Sequence, residues 1–172
     1  MLLIVEGPDG AGKTTLISSL RKKLSKPSIS LRRGGRRLSR DGIRDFHLLI
    51  SEINDFGLFN WVILDREPLL SESIYGSVIR RDLDAPSTHE VIEAYKRLPP
   101  FIMIYCMNPT KPDVEPQMEG VLESLGDLQR EYDRLICKIE EIIPQPLIAY
   151  ALGDPIDPLV EHLERTSENA EC

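Results

Sequence analysis

The strongest indication of the fold is the sequence at 7–14, which reads Gly7-Pro8-Asp9-Gly10-Ala11-Gly12-Lys13-Thr14. It fits the pattern G-x-x-x-x-G-K-[ST] and lies between an apolar run at 1–5 and a helical periodicity that begins at Lys13. In that setting the glycines let backbone N–H groups wrap a phosphate, and the N-terminus of the following helix adds the positive end of its dipole. A chance glycine turn does not require such flanking elements, so the stretch predicts a phosphate-binding loop.

The side chains of this loop predict its ligands. Lys13 is placed to reach the β- and γ-phosphates of ATP, and the Thr14 hydroxyl is placed to bind Mg²⁺. We therefore expect ATP and Mg²⁺ as cofactors. The predicted ATP contacts come from Gly7, Asp9, Gly10, Ala11, Gly12, Lys13, Thr14 and Thr15.

Apolar runs and helical periodicities alternate along the chain. Predicted strands cover 1–5, 28–31, 61–64, 101–105 and 146–150, and the run at 28–31 is the weakest of them. Predicted helices cover about 13–24, 41–56, 121–139 and 159–163. This alternation predicts an α/β fold in which helices flank a doubly wound, five-stranded parallel sheet. We expect residues 1–172 to form one domain, with loops at about 31–41 and 108–119 as candidate functional segments.

The composition excludes several classes of protein. The 172 residues are 41% hydrophobic and 28% charged, as in an ordinary globular domain. A net charge of −7 makes the surface a poor binder of polyanions, so we expect no nucleic-acid partner. The apolar runs are too short for a membrane span and no basic leader is seen, so we expect no membrane partner and a cytoplasmic location. Three cysteines and three histidines follow no zinc, disulfide or triad spacing.

A second polar pair, Asp65-Arg66, ends the third apolar run. Because ligands bind at the carboxyl edge of open parallel sheets, we expect both side chains at that edge. Asp65 would hold Mg²⁺ through water, and the fork of Arg66 would bind a second phosphate. The alternative is a local ion pair or a helix cap.

The chain resembles the thymidylate kinases and their phage-like relatives among the P-loop nucleoside monophosphate kinases. The resemblance rests on V-E-G-P-D-G-A-G-K-T-T at 5–15, on Asp65-Arg66, and on S-E-S-I-Y-G at 71–76, which is displaced by about one residue from the family pattern. It covers roughly residues 1 to 80.

The resemblance implies an acceptor site for a monophosphate. Asp9 would bind the 3′-hydroxyl of its sugar, Arg66 and Arg33 would contact phosphate, and Phe46 would stack on the base, although core packing explains Phe46 equally well. Ser71 and Tyr75 would line the same site, with a helix cap as the alternative for the serine.

Two departures from the family pattern concern arginines. Ile50 stands where the family has an arginine that reads the base. The lid region at 108–119 contains only Lys111 as a cation, and position 10 is Gly. We therefore expect an arginine of the 32–37 loop, with Arg33 and Arg36 preferred, to act on the phosphates; the alternative is a solvated loop. Arg130 and Arg134 are expected to be exposed partners of acidic neighbours.

These observations predict a kinase that transfers the γ-phosphoryl group of ATP to a deoxynucleoside monophosphate, most simply dTMP or a modified pyrimidine relative. The expected catalytic residues are Lys13, Arg33, Asp65 and Arg66. One alternative is a kinase of the same fold for a nucleoside, a purine monophosphate or a modified base in DNA, and another is a nucleotide-responsive binding protein with little turnover. We expect small-molecule nucleotides as partners, a homodimer as a candidate assembly, and the cytoplasm of a cell or of an infected host cell as the location.

Overall fold

The computed structural model describes residues 1–32, 39–80, 83–107 and 120–170. The strands in these ranges are β1 (Leu2–Glu6), β2 (Ser28–Arg32), β3 (Trp61–Asp65), β4 (Phe101–Met107) and β5 (Leu147–Ala151). The helices are α1 (Lys13–Lys23), α2 (Arg40–Asp55), α3 (Pro68–Tyr75), α4 (Thr88–Tyr95), α5 (Leu125–Ile142) and α6 (Ile156–Ala170). A π-helical turn, Gly76–Arg80, continues α3.

The strands form one parallel sheet in the order β2-β3-β1-β4-β5. The register pairs Val5 with Asp65 and Glu6 with Tyr105. The ends of β1 and β3 therefore lie side by side, and the two polar segments that follow these strands share the carboxyl edge of the sheet.

The core lies on both faces of the sheet. Along β1, Leu2 and Ile4 pack into a cluster beneath α2 to α5, whereas Leu3 and Val5 pack into a second cluster beneath α1 and α6. All four side chains are fully buried. The continuous apolar run at the start of the chain thus reflects a central strand that is covered on both sides.

The predicted α/β fold with a five-stranded parallel sheet is confirmed, and the differences concern helices and element ends. The sequence did not predict α3 and α4 as separate helices. The helix predicted from 121 begins at Leu125, because Gly120 (φ 81°) opens a turn that contains Val121. Arg32 belongs to β2 rather than to the following loop, and α6 is longer than its apolar residues indicated.

No helix in the described ranges is both long enough and apolar enough to span a membrane.

Candidate functional site

The phosphate-binding loop connects β1 to α1 with a backbone that requires glycine. Gly7, Gly10 and Gly12 have φ values of 141°, 79° and 81°. A Cβ at Gly7 would lie 2.2 Å from the carbonyl oxygen of Cys106, so β4 packs directly against the loop and no side chain fits there.

Lys13 begins α1 and lies against the loop. Its Nζ donates hydrogen bonds to the carbonyl oxygens of Gly7 at 2.8 Å and Pro8 at 2.6 Å. Burial, together with the charge of Arg66, lowers the pKa of Lys13 to about 7. Thr14 and Thr15 are exposed at the N-terminus of the same helix, where a phosphate and its metal ion would be expected. The loop thus presents the groups that the sequence predicted for phosphate binding.

Arg66 faces the loop from the end of β3. Its Nη2 donates to the carboxylate of Asp9, its Nη1 donates to the hydroxyl of Tyr132 at 3.0 Å, and its guanidinium lies 5.1 Å from the ring centroid of Tyr75. Arg66 has φ 74°, the one positive φ at a non-glycine residue in the described part of the chain. Such backbone strain persists where the surroundings fix it and is common at functional sites. Asp9, Arg66 and Tyr75 are thereby brought together.

Asp65 lies at the same sheet edge and is nearly buried, with an exposure of 8%. Its Oδ2 is 3.4 Å from Nε of the exposed Arg32 on β2. Asp65 is therefore ion-paired with a residue of the neighbouring strand and not with Arg66 beside it in the sequence. Within the described ranges no cluster of three or more His, Cys, Asp or Glu side chains could hold a metal ion. A hydroxyl such as that of Thr14 together with a single carboxylate suits Mg²⁺, which keeps several waters and takes phosphate oxygens as ligands.

Helix α3 contributes buried hydroxyls beside Arg66. Ser71 and Tyr75 are nearly buried, and among the described residues neither hydroxyl has a hydrogen-bond partner at standard distance and angle. The charges of Arg66 and Asp9 act on the Tyr75 hydroxyl, whose pKa is raised mainly by burial. The N-cap of α3 is Glu67, so Ser71 is not the helix cap. Tyr75 interacts with both Arg66 and Asp9, and Ser71 with Tyr132, so the two hydroxyls belong to the polar cluster around Arg66.

Helix α2 carries Phe46 and Ile50 at different depths. Phe46 is partly buried against the core cluster below α2, which is the packing alternative considered above, and part of its surface remains accessible. The Ile50 side chain is fully buried and packs in the core.

The sequence did not single out Glu6, Glu67, His47 or Tyr132 as site residues. Glu6 is fully buried next to the phosphate-binding loop, burial raises its pKa to about 8, and its carboxylate accepts the backbone N–H of Glu67. An acidic residue at the end of an apolar strand was the available signal for Glu6. The other three are joined to the site by contacts between distant parts of the chain.

The remaining predicted cationic residues form two groups. Arg33, Arg36 and Lys111, and with them the loop at 108–119, lie outside the described residues. On α5, Arg130 binds Asp127 and Arg134 binds Glu131, with an Nε–Oε2 distance of 2.9 Å for the latter. The ion-pair interpretation of these two arginines is confirmed.

Three solved structures share the fold of this chain over nearly its whole length. The YorR protein of Bacillus subtilis, in complex with phosphorylated GDP, matches with a TM-score of 0.62 at 17% identity over 99% of this chain and 98% of that chain. Deoxyadenosine kinase from M. mycoides, with the products dCMP and a flexible dCDP bound, matches with a TM-score of 0.60 at 16% identity over 98% and 100%. Thymidylate kinase from Candida albicans matches with a TM-score of 0.57 at 20% identity over 99% and 92%. No protein-family model and no curated protein matches the chain. The chain therefore shares its α/β fold with these three nucleotide-binding or nucleotide-phosphorylating proteins.

Proposed function

We propose that this protein transfers the γ-phosphoryl group of ATP to a deoxynucleoside monophosphate, with dTMP or a related or modified pyrimidine nucleotide as the first candidate. The observation that carries the proposal is the juxtaposition of Lys13 in a phosphate-binding loop with Arg66 at the neighbouring strand end. A loop for the donor phosphates and a separate guanidinium beside it suit two phosphorylated ligands.

The donor side would be ATP with Mg²⁺. The backbone amides of the loop and the N-terminus of α1 would hold the β-phosphate, and Lys13 would leave the carbonyl oxygens of Gly7 and Pro8 to contact the transferred group. Thr14 and, through water, Asp65 would hold Mg²⁺, which neutralises charge on the phosphates. Positioning and charge neutralisation supply most of the catalysis, and no covalent intermediate is needed.

The acceptor side would be built around Arg66. Its guanidinium would bind the acceptor phosphate, and Asp9, which now pairs with it, would turn to the 3′-hydroxyl. The hydroxyls of Ser71, Tyr75 and Tyr132 would donate to the same phosphate once Arg66 binds it. Phe46 would cover the base with its accessible surface.

A second candidate is a kinase of the same fold for a nucleoside, a purine monophosphate or a modified base in DNA. It is favoured by the buried Ile50, which supplies no group to read a thymine edge. The similar structures also include one with a guanine nucleotide and one named a deoxyadenosine kinase. A nucleotide-responsive binding protein with little turnover is the remaining alternative.

A panel of acceptors tests the proposal. The protein would be incubated with Mg²⁺ and ATP carrying a labelled γ-phosphate, together with dTMP, dUMP, dCMP, dAMP, dGMP, the parent nucleosides and single-stranded DNA. We expect the label in a deoxynucleoside diphosphate. Label in a nucleoside monophosphate or in DNA would support the second candidate instead, and label in none of the acceptors would contradict a kinase.

If Asp9 binds the sugar, kcat/KM should depend on the 3′-hydroxyl of the acceptor. A charged partner of a hydroxyl is worth about 1.5–3 kcal/mol, so the 3′-deoxy form of the preferred acceptor should lose about 10- to 100-fold in kcat/KM. Asp9→Asn should reduce the ratio of kcat/KM between the preferred acceptor and its 3′-deoxy form. Asp45→Asn, at an exposed position on α2, should leave this ratio unchanged. Equal rates for the two acceptors with the unaltered protein would remove Asp9 from the sugar site.

An arginine of the loop after β2 is expected to act on the transferring phosphoryl group. Single Ala substitutions at Arg32, Arg33, Arg36 and Arg37 would be compared for turnover and for ATP affinity. One of them, with Arg33 or Arg36 preferred, should lose on the order of 10³ in turnover and much less in ATP affinity. Four enzymes with near-normal turnover would redirect attention to Lys111, Arg130 and Arg134.

The homodimer and the cytoplasmic location stay predictions. Light scattering of the purified protein at two concentrations would measure the first, and cell fractionation would measure the second.

A further inference from the structure

The carboxylate of Glu67 is a buried junction between the helix that follows Arg66 and the rest of the site. Glu67 is fully buried and caps α3, because Oε1 accepts the N–H of Leu69 at 2.9 Å and Oε2 accepts the N–H of Leu70 at 2.7 Å. Its own backbone N–H donates to the carboxylate of Glu6, just before the phosphate-binding loop. These contacts hold Glu67 in one position relative to both segments.

His47 on α2 contacts the same carboxylate. Its Nε2 lies 2.7 Å from Oε1 of Glu67, and the His47 side chain is only 20% exposed. Both oxygens of Glu67 already accept amide N–H groups, so the contact is a hydrogen bond in the form of His47 that has its proton on Nε2, and we assign that form, with Nε2 as the donor. The contact therefore ties α2 to the segment that follows β3 through a charge-assisted hydrogen bond.

The turn between β3 and α3 needs such anchoring. Arg66 has φ 74°, which costs free energy for a residue with a β-carbon and persists only where its neighbours fix it. Asp65 is fixed by its pairing with Val5 and Arg32, and Glu67 is fixed by its cap. Helix α2 packs on the same core cluster as α3, and the contact of His47 with Glu67 brings α2 to the segment directly after the Arg66 turn.

We infer that His47 is a positioning residue. By donating a hydrogen bond to Glu67, it holds α2 at a fixed position relative to the turn that presents Arg66. It thereby sets the distance between the part of the acceptor site that binds the base and the part that binds the phosphate. This inference rests on the proposed function in taking Arg66 and α2 as the acceptor side. ATP is held by the loop and α1, which His47 does not contact.

Two substitutions at His47 and one matched control test the inference. His47→Leu removes the donor, His47→Gln keeps an N–H donor on a side chain of similar reach, and His162→Leu makes the same change at an exposed position of α6. We expect His47→Leu to raise KM for the acceptor about tenfold, the size of a lost hydrogen bond to a charged group, with KM for ATP changed less than about twofold. His47→Gln should recover most of the acceptor affinity, and His162→Leu should match the unaltered protein.

Amide hydrogen exchange without any nucleotide provides a second measurement. His47→Leu should speed exchange in α2 and leave exchange in α1 unchanged. A parallel rise in both KM values, a Gln variant as poor as the Leu variant, or unchanged exchange in α2 would each overturn the inference. If the unaltered protein phosphorylates no acceptor, the proposed function fails, and the exchange measurement alone then decides whether His47 holds α2 to the turn.

Discussion

Lys13→Ala is expected to lower turnover by at least about a hundredfold while the protein stays folded, comparable to the loss of one preorganised donor to a developing charge. In the ligand-free protein Lys13 satisfies the carbonyl oxygens of Gly7 and Pro8, and burial with the charge of Arg66 lowers its pKa to about 7. Phosphates would restore the charged form, because an opposite charge favours the protonated amine. The amine would therefore contribute most when the γ-phosphoryl group carries the most charge.

The control for this change is Lys22→Ala on the same helix, where the side chain is exposed to solvent. Turnover is measured with saturating acceptor, and circular dichroism confirms folding. If Lys13→Ala keeps its turnover within a few-fold of the unaltered protein, Lys13 does not serve the transferred phosphoryl group.

Arg66→Ala should produce the other large effect, a loss on the order of a thousandfold in kcat/KM for the acceptor, because two charge-assisted hydrogen bonds to the acceptor phosphate, worth about 1.5–3 kcal/mol each, would be lost. The change removes the fork that would bind the phosphate and also leaves the carboxylate of Asp9 and the hydroxyl of Tyr132 without their donor. Arg66→Lys keeps the charge without the fork and should recover only part of the rate.

The left-handed backbone at Arg66 permits a control for folding. Arg66→Gly suits φ 74° and relieves strain that Ala and Lys both retain, so this variant should fold and remain as inactive as Arg66→Ala. Arg165→Ala, at an exposed residue of α6 whose Nε donates to the carbonyl oxygen of Glu161, should keep normal activity. An active Arg66→Gly enzyme would show that the guanidinium does not bind the acceptor.

The local sequence pattern was sufficient to predict the sheet and the glycine loop between β1 and α1. The run at 1–5 is apolar at every position because β1 is covered on both faces, and the glycines of the following loop indicate a backbone that other residues cannot adopt. The helix signals for α3 and α4 were present but short. Pro68 follows the Glu67 cap in α3, and Ser87 with Glu90 forms a capping box before α4.

The interior of the site could not be read from the sequence, because its contacts join distant residues. Tyr132 is separated from Arg66 by 66 positions, and Glu67 from Glu6 by 61. On its own helix Tyr132 is simply one of the apolar residues that face the core. The positive φ of Arg66 was equally unexpected, since arginine favours no left-handed backbone and its strain is sustained by neighbours that pack only in the folded chain.

Phosphoryl transfer to a deoxynucleoside monophosphate is measured by following the label of γ-labelled ATP. The protein is incubated with Mg²⁺, ATP labelled at the γ-position and dTMP or the best acceptor of the panel, and the labelled products are separated and counted over time. We predict that the label appears in the deoxynucleoside diphosphate many times faster than in orthophosphate, and that Lys13→Ala and Arg66→Ala each abolish this transfer. Label that is found only in orthophosphate, or that stays in ATP with every acceptor, would contradict the account.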